Sequence, residues 1–447
     1  MRKDNGLKSA VGSAERLHPP PPVLEIAHTL TSAGYESWCV GGAVRDALLG
    51  HTNLDWDLAT SATPAQVQRL FRRTIPVGVE FGTVGVLDDA GTMHEVTTFR
   101  RDVQTDGRHA VVEFGASLEE DLARRDFTIN SIAYSPGTRE LRDPFDGRGD
   151  LARGIIRAVG DPQVRLREDR LRALRAIRFA ARFEFEIEPD TWRAIEDSAS
   201  HLNLLSMERV QQEIDKTMAQ VERPGVAFRM WRESGAFAVL ALALAAIGDV
   251  ALATLDRLPR ATRPEHSRRT TNRLTALLLD TPPAVARATL RELRFSNDRA
   301  RWIGDLVERW HEVGAPVRDA LSRGEDPTDA TVRRWVATIG RTRVDALLRV
   351  ADARFGAERA SGAGNVSDAS MRSLYRRSIR ISLRDPVDVG DLAFDGADLM
   401  KAGIPAGPRV GAVLRALLDW VLDDPARNTH DQLLARTREL AGGSTNS

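Results

Sequence analysis

The chain has 447 residues, enough for two to four structural units rather than one core. Apolar residues make up 42% and charged residues 28%, a balance that excludes collagen-like, wholly disordered and disulfide-scaffold classes. The chain has 63 Lys and Arg residues and 63 Asp and Glu residues, so it is not basic as a whole. A zero net charge is still compatible with a positive stripe on one part of the surface. We expect neither a membrane span nor a secretory signal, and the single cysteine, Cys39, fits a reducing cytoplasm.

The first 150 residues mix strand and helix patterns, whereas the remainder is almost wholly helical. Residues 1–22 are polar and end in four prolines, which predicts a disordered leader. Hydrophobic periodicity and turn residues then predict helices over 23–34, 42–49 and 63–73 and strands over 36–40, 54–60, 82–87 and 94–99. The sequence therefore predicts a compact α/β head followed by a long all-α segment.

A glycine pair, Gly41-Gly42, lies between the first predicted strand and the helix after it. Glycines there allow a ligand to approach the backbone closely, and the helix N-terminus offers free N–H groups to an anion such as a triphosphate. Arg45 follows one turn later and would add a charge-assisted contact. The alternative is an ordinary tight turn.

Two carboxylates, Asp55 and Asp57, alternate along the predicted strand 54–60. Alternation places both on one side of the strand and Trp56 on the other. Such carboxylates repel unless a cation lies between them, and oxygen ligands of this kind suit Mg²⁺, which also binds substrate phosphates. A solvated strand edge is the alternative, but the order glycine pair, helix and paired carboxylates is the layout of a nucleotidyltransferase head.

Five segments in this order resemble the motifs of the class II tRNA nucleotidyltransferases, the family of the CCA-adding enzymes and related bacterial poly(A) polymerases. The resemblance implies an α/β nucleotidyltransferase head with a polymerase β-like mixed sheet, followed by an all-α neck, body and tail. On this basis the domains are the leader 1–22, the head 23–150, the neck 151–215, the body 216–350 and an RNA-binding tail 351–447. The segments that carry the resemblance are 41–57, 124–131, 143–150, 168–175 and 206–213.

A charged helix is predicted over residues 163–182, where Asp169 and Arg172 would share a face with Arg175 and Arg178. An exposed, salt-bridged helix is the alternative. Cytosine and adenine present an amino donor beside a ring-nitrogen acceptor, whereas uracil and guanine present a carbonyl in place of the amino group. Because a carboxylate only accepts and a guanidinium only donates hydrogen bonds, a fixed Asp–Arg pair selects C and A.

The resemblance assigns this templating role to Asp169 and Arg172. It also implies that Arg175 and Arg178 contact nucleotide or phosphate. Gly42 and Arg45 would hold the triphosphate, and Arg125 the sugar or phosphates.

The metal-binding residues implied by the family are Asp55 and Asp57, which would also be the catalytic residues, with Mg²⁺ as cofactor. Glu95, on a following predicted strand, is a candidate third ligand, and a purely structural glutamate is the alternative. Residues 101–113 resemble the family's flexible loop, implicated in the switch from C to A addition. Gln104, Gly107 and Ala110 depart there from the aromatic and proline residues often found in the family.

A local basic cluster lies in the helical part of the sequence. Its arginines would either grip tRNA phosphates or form a solvated loop, and phosphate contacts would make binding salt-dependent. The members are Arg257, Arg260, Arg263, Arg268, Arg269 and Arg273.

The sequence as a whole predicts a cytoplasmic enzyme that adds C, C and A to the 3′ end of tRNA from CTP and ATP and releases pyrophosphate. Within the enzyme class the alternatives are a poly(A) polymerase and a partial enzyme that adds only CC or only A. Residues 76–84 resemble the CCA-adding version. From another class, the alternative is a non-catalytic tRNA-binding protein, which intact Asp55 and Asp57 argue against.

Overall fold

In a computed structural model that describes residues 14–52, 55–105, 110–260 and 267–442, the protein folds into two compact units. Unit 1 contains the described residues up to Thr217 together with Arg229–Leu240. Unit 2 contains Met218–Phe228 and the described chain from Ala241 onwards. Every strand of the described residues lies in unit 1, as the change of pattern along the sequence predicts.

Unit 1 is built on a seven-stranded sheet with the strand order β3-β4-β5-β2-β1-β8-β9. Only β2 and β5 pair in parallel, and the other neighbours are antiparallel, so the predicted mixed sheet is confirmed. A hairpin of β6 and β7 and a short parallel pair of β10 and β11 lie outside this sheet. The strands are β1 (Ser37–Val40), β2 (Asp57–Thr60), β3 (Thr74–Gly78), β4 (Thr83–Leu87), β5 (Met93–Thr98), β6 (Arg100–Thr105), β7 (Ala110–Phe114), β8 (Ala133–Tyr134), β9 (Leu141–Arg142), β10 (Ile155–Ile156) and β11 (Glu186–Ile187).

Local sequence signals set where several helices of unit 1 begin. Thr63 and Gln66 form a reciprocal capping box before a proline at the first turn, and Ser117 and Glu120 form another. The helices are α1 (Pro21–Ser32), α2 (Gly42–Leu48), α3 (Pro64–Leu70), α4 (Leu118–Ala123), α5 (Gly147–Arg153), α6 (Pro162–Glu168), α7 (Leu171–Phe183), α8 (Pro189–Ala199), α9 (Met207–Gln220), α10 (Pro224–Glu233) and α11 (Ala236–Leu240). The chain passes between the units within α9 and α10.

Unit 2 is helical throughout its described residues and contains two apolar clusters. The larger includes Trp310, Leu347 and Phe355, and the smaller includes Phe394 and Leu417. No helix in the described part of the chain is long and apolar enough to cross a membrane. The helices are α12 (Leu242–Ala245), α13 (Asp249–Arg257), α14 (Ser267–Leu278), α15 (Pro283–Glu292), α16 (Asn297–Ser322), α17 (Asp329–Ile339), α18 (Val344–Ala360), α19 (Asp368–Arg384), α20 (Gly396–Lys401), α21 (Pro408–Asp423) and α22 (His430–Gly442).

Several predicted bounds differ from the structure. The leader was predicted to end at residue 22, yet Leu17 is buried and α1 begins at Pro21, because proline is well suited to the first turn of a helix. The domain bounds at 215 and 350 fall inside α9 and α18. The predicted loop 101–113 consists mostly of β6 and β7, and residues 106–109 of it lie outside the described residues, as do residues 1–13.

One member of the predicted basic cluster, Arg273 of α14, is fully buried and therefore is not part of a solvated surface. Its guanidinium donates five hydrogen bonds of 2.7 to 3.0 Å to the carbonyl oxygens of Met218, Val221, Glu222 and Leu258. These carbonyls lie at the C-terminal ends of α9 and α13, where helices leave acceptors unpaired and where a cation is favoured. Arg273 thus caps two helices at once. Another member, Arg263, lies outside the described residues.

Replacing Arg273 by Met is expected to lower the free energy of unfolding of unit 2 by about 3 kcal/mol or more, because buried carbonyl groups lose their only charged donor. Urea unfolding followed by circular dichroism measures this loss. Arg301→Gln is the matched control, since the Arg301 side chain is 71% exposed and should change stability little. Equal unfolding midpoints for Arg273→Met and the wild type would contradict the capping role.

Candidate active site

Strand pairing fixes the position of Asp57, the first residue of β2. Asp57 lies opposite Val40 of β1, and Leu58 lies opposite Val96 of β5. Because side chains alternate along a strand, Asp57 and Glu95 project from the face opposite the buried Leu58 and Val96. The register therefore places a second carboxylate beside Asp57.

Asp55 lies in the segment before β2, so the strand predicted over 54–60 begins too early. Its side chain is exposed, whereas Trp56 between the two aspartates is buried. The strand starts only at Asp57 because its neighbour β1 ends at Val40, where Gly41 turns the chain away and leaves residue 56 without a partner. Leu54 lies outside the described residues.

The three carboxylates are coupled electrostatically. Burial first, then Glu95 and Asp55, raise the pKa of Asp57 from its ordinary value of 3.8 to about 7, and Arg125 acts in the opposite direction. In the part of the chain that the structure describes, no three His, Cys, Asp or Glu side chains are grouped as metal ligands. Glu95 is thus a charge neighbour of Asp57.

The Gly41-Gly42 turn lies against two guanidinium groups. Gly41 has a φ of +74°, a conformation that favours glycine, and a Cβ there would lie 3.2 Å from Nη1 of Arg125. A Cβ on Gly42 would lie 3.6 Å from Nη2 of Arg45. The turn and α2 therefore follow the sequence prediction. Gly41 leaves room for Arg125, whereas a Cβ on Gly42 would make only an ordinary contact with Arg45.

Arg45 is more enclosed than the sequence suggests, with a relative exposure of only 4%. Its Nε donates to Asp46 at 2.7 Å, its Nη1 donates to the side-chain oxygen of Asn130, and burial lowers its pKa. Arg125 is more open: its side chain is 18% exposed, and its Nη2 donates to Asp121 at 3.0 Å. Of these two arginines, Arg125 is the better placed to reach a ligand beside Asp57.

The predicted helix over residues 163–182 is wrong, because α6 ends at Glu168 and α7 begins at Leu171. Asp169 lies in the break with an extended backbone, and its carboxylate accepts hydrogen bonds from the Leu171 amide at 3.1 Å and from Nη2 of Arg209 at 2.8 Å. A short polar side chain that binds the backbone two residues ahead competes with helix continuation. Asp169 and Arg172 consequently do not share a helical face by spacing alone.

The Arg172 guanidinium is held by groups other than the Asp169 carboxylate. It donates to Glu168 at 2.7 Å and to the carbonyls of Arg165 and Arg124 at 2.9 Å each. These bonds use three of the five N–H groups of a guanidinium and leave two for a ligand. The structure therefore anchors Asp169 and Arg172 separately, as two fixed groups at the start of α7.

Arg175 and Arg178 continue along α7, and each pairs with a carboxylate that the sequence analysis did not single out. Arg175 bonds to Asp126 at 2.8 Å and Arg178 to Glu213 at 2.7 Å. Burial opposes ionisation of Asp126, but Arg175 and Asn130 outweigh it and hold its pKa at about 2. The Arg175 side chain is 29% exposed, whereas that of Arg178 is 4% exposed, so Arg175 is the more accessible of the two arginines.

Asp126 and Glu213 occur within the motif segments 124–131 and 206–213, but the sequence analysis singled out only the arginines as ligand groups. The position of the two carboxylates inside those motifs is the sequence signal that could have identified them. Chemical reasoning about substrate contacts missed them, because they bind other side chains instead.

Comparison with known proteins identifies the class of this site. Residues 37–157 match the family model described as the poly(A) polymerase head domain. Residues 184–247 match the model described as the probable RNA and SrmB-binding site of polymerase A. The mixed sheet with its carboxylates thus belongs to a nucleotidyltransferase head.

Full-length relatives define the family more narrowly. A CCA-adding enzyme of Limosilactobacillus fermentum is 34% identical over 434 residues, covering 94% of this chain and 96% of the relative. A crystal structure of the Bacillus stearothermophilus CCA-adding enzyme in complex with CTP is 31% identical, with a TM-score of 0.74 over 95% of this chain and 99% of that one. A Thermotoga maritima CCA-adding enzyme complexed with tRNA_CCA, 20% identical over 97% of this chain and 98% of that one, shares the fold with a TM-score of 0.65. The chain belongs to the CCA-adding enzyme family.

Asp57→Asn is expected to stabilise the metal-free protein at pH 8 by on the order of 2 kcal/mol. Asp57 has a raised pKa near 7, so between pH 4 and 7 the unfolded chain ionises while the folded carboxyl resists ionisation, and stability falls as pH rises through this window. Facing groups Asp55, Glu95 and Arg125 are unchanged in the variant. Thermal unfolding in chelator should show the difference at pH 8 and its disappearance near pH 4. A variant with a lower melting temperature than the wild type at pH 8 would show that the ionised Asp57 carboxylate does not destabilise the fold.

Proposed function

We propose that this protein is a template-independent nucleotidyltransferase that adds C, C and A to the 3′ end of tRNA from CTP and ATP and releases pyrophosphate. Membership of the CCA-adding enzyme family supports the reaction as a whole. The observation in this chain that carries it is the coupling of Asp57 to Asp55, Glu95 and Arg125. We also propose that the enzyme acts in the cytoplasm, because a chain with a single cysteine is suited to a reducing compartment.

The carboxylates fit a divalent cation, and we take Mg²⁺ as the ion. Burial raises the pKa of Asp57 most, and repulsion by Glu95 and Asp55 raises it further. A bound cation would offset that repulsion, and hard oxygen ligands suit Mg²⁺. Asp55 and Asp57 would hold it, with Glu95 as a candidate third ligand. When bound, the ion supplies activation of the attacking RNA 3′-hydroxyl and neutralises triphosphate charge.

The chain's own residues place the triphosphate for attack at its α-phosphate. The glycine turn admits the ligand close to the backbone at Gly42, and Arg125 is open beside Asp57. Arg45 lies beneath the turn as a buried charge, so its contribution is an electrostatic field or a contact made after a local shift. Arg175 is the accessible guanidinium of α7 for sugar or phosphate, and Arg178 lies deeper beside it.

Asp169 and Arg172 choose the base in this proposal. Their separate anchors, Arg209 for the carboxylate and the Arg124 carbonyl for the guanidinium, keep one acceptor and one donor at a fixed spacing. A base with an amino group beside a ring nitrogen satisfies both groups, whereas a carbonyl placed against the carboxylate leaves buried polar groups unpaired. The helical segments beyond the head would bind tRNA by shape, since duplex RNA offers few readable base edges.

The reaction is tested with tRNA that lacks its terminal CCA, incubated with Mg²⁺ and CTP, ATP or both, followed by sequencing of the 3′ ends. We expect two C residues with CTP alone and complete CCA ends with both nucleotides. Long A tails would indicate a poly(A) polymerase, and arrest after CC with both nucleotides would indicate a partial enzyme. Retained tRNA binding without incorporation would indicate a non-catalytic binding protein.

Asp57→Ala is expected to abolish incorporation, by at least about 10³-fold, because one of the two proposed metal ligands is lost. The measurement is the single-turnover rate of C addition, with tRNA binding measured in parallel. Glu95→Ala is the informative comparison, since an equally large loss makes Glu95 a ligand and a small loss leaves it a charge neighbour. Near-normal incorporation by Asp57→Ala would exclude this carboxylate from the chemistry.

Asp169→Ala is expected to lose base choice more than nucleotide binding, because the acceptor that rejects U and G is removed while the phosphate contacts stay. Competition between CTP and UTP measures this, and a reduction in discrimination of roughly 10-fold to 100-fold corresponds to one lost polar contact. Arg209→Gln serves as a companion variant, since it removes one of the two hydrogen bonds that hold the Asp169 carboxylate but keeps the carboxylate itself. Unchanged discrimination in Asp169→Ala would overturn the template assignment.

A further inference from the structure

Two phenylalanine rings lie among the arginines of α7. Phe179 and Phe183, one helical turn apart, stack almost in parallel, with ring centroids 6.0 Å apart and an interplanar angle of 9°. Phe127 packs edge-on against Phe179 at 5.8 Å, and Phe179 is only 4% exposed. The Phe179 ring is therefore buried and held between two neighbouring rings.

Three guanidinium groups lie close to the Phe179 ring. The guanidinium carbons of Arg178, Arg45 and Arg175 are 4.3, 5.0 and 5.3 Å from its centroid. Arg45 also lies 4.8 Å from the centroid of Phe183. Distances within about 6 Å are those of cation–π attraction, which strengthens when the cation is desolvated.

The rings matter because positive charge is crowded here. Like charges repel strongly away from water, and burial lowers the pKa of both Arg45 and Arg178. Arg45 pairs with Asp46, Arg175 pairs with Asp126 and, at 3.9 Å, with Glu213, and Arg178 pairs with Glu213. These carboxylates hold part of each guanidinium, and all three guanidinium groups also lie against the Phe179 ring.

We propose that Phe179 is a positioning residue that sets the spacing of Arg45, Arg175 and Arg178. The proposal rests on the proposed function, in which these arginines hold the nucleotide. Phe179 touches no substrate itself. Its ring acts through the arginines, which belong to α2 and α7 and which it contacts together.

The test compares a ringless side chain with side chains that keep the ring. Phe179→Met, of similar volume, is expected to weaken equilibrium binding of both CTP and ATP by roughly 10-fold, the size of one desolvated cation–π contact. The ratio of the two affinities should stay constant, because the arginines serve either nucleotide. Phe179→Tyr should restore binding to within about threefold of the wild type.

Fluorination gives a second measurement that packing alone does not move. Trifluorophenylalanine incorporated at position 179 keeps the ring's shape but removes the negative potential of its face. We expect nucleotide affinity to fall as far as in Phe179→Met while the melting temperature stays near that of the wild type. Unchanged affinity with the fluorinated ring would overturn the proposal.

Phe99→Leu is the matched control, because Phe99 is equally buried but packs in the apolar cluster of Trp38 and Leu122. It should lose stability without losing nucleotide affinity. Affinity lost equally in Phe99→Leu and Phe179→Met would reduce Phe179 to a general core residue. Failure of the proposed function is seen separately, as a wild-type protein that binds nucleotide but adds none to tRNA.

Discussion

The repulsion between like charges is the constraint on which this site depends. Carboxylates are gathered at the start of β2 and guanidinium groups around α7, and each group alone would favour separation. The fold holds the carboxylates through strand register, in which Asp57 and Glu95 occupy neighbouring positions, so the β ladder resists their repulsion. It holds the guanidiniums through carboxylate partners and through phenyl rings. A cation bound at the carboxylates, or an anion bound at the guanidinium groups, would therefore reduce the repulsion within each group.

The sequence predicted the elements that carry the proposed ligand-binding residues better than the contacts that hold those residues in place. Strand β1, the glycine turn and α2 follow from strong local signals, namely a short apolar run, two glycines and a helical repeat. The mixed sheet followed from the resemblance and the helical remainder from the change of pattern along the sequence, and both are confirmed. The roles of the individual site residues remain predictions, since they concern ligands rather than the fold.

What failed was decided by tertiary contacts. Residues 163–182 contain neither Gly nor Pro, so periodicity alone joined α6 and α7 into one helix. At the break the Asp169 carboxylate binds the Leu171 amide and also Arg209, which lies forty residues further on. Likewise, the charge pattern predicted that Arg273 belongs to a solvated or RNA-binding cluster. In the structure Arg273 is buried and donates to carbonyl groups more than fifty residues earlier in the chain. Neither partner can be inferred from the neighbouring sequence.

The double helix cap made by Arg273 has a consequence for redesigning this protein. The chain uses arginine for nearly all its positive charge, and a general exchange of arginine for lysine would leave its net charge unchanged. Exposed positions should tolerate the exchange. An ammonium group has three donors on a single atom and cannot reach carbonyls spread over two helix ends as a planar fork does. A lysine-rich version would therefore have to retain Arg273 to keep these two helix ends capped.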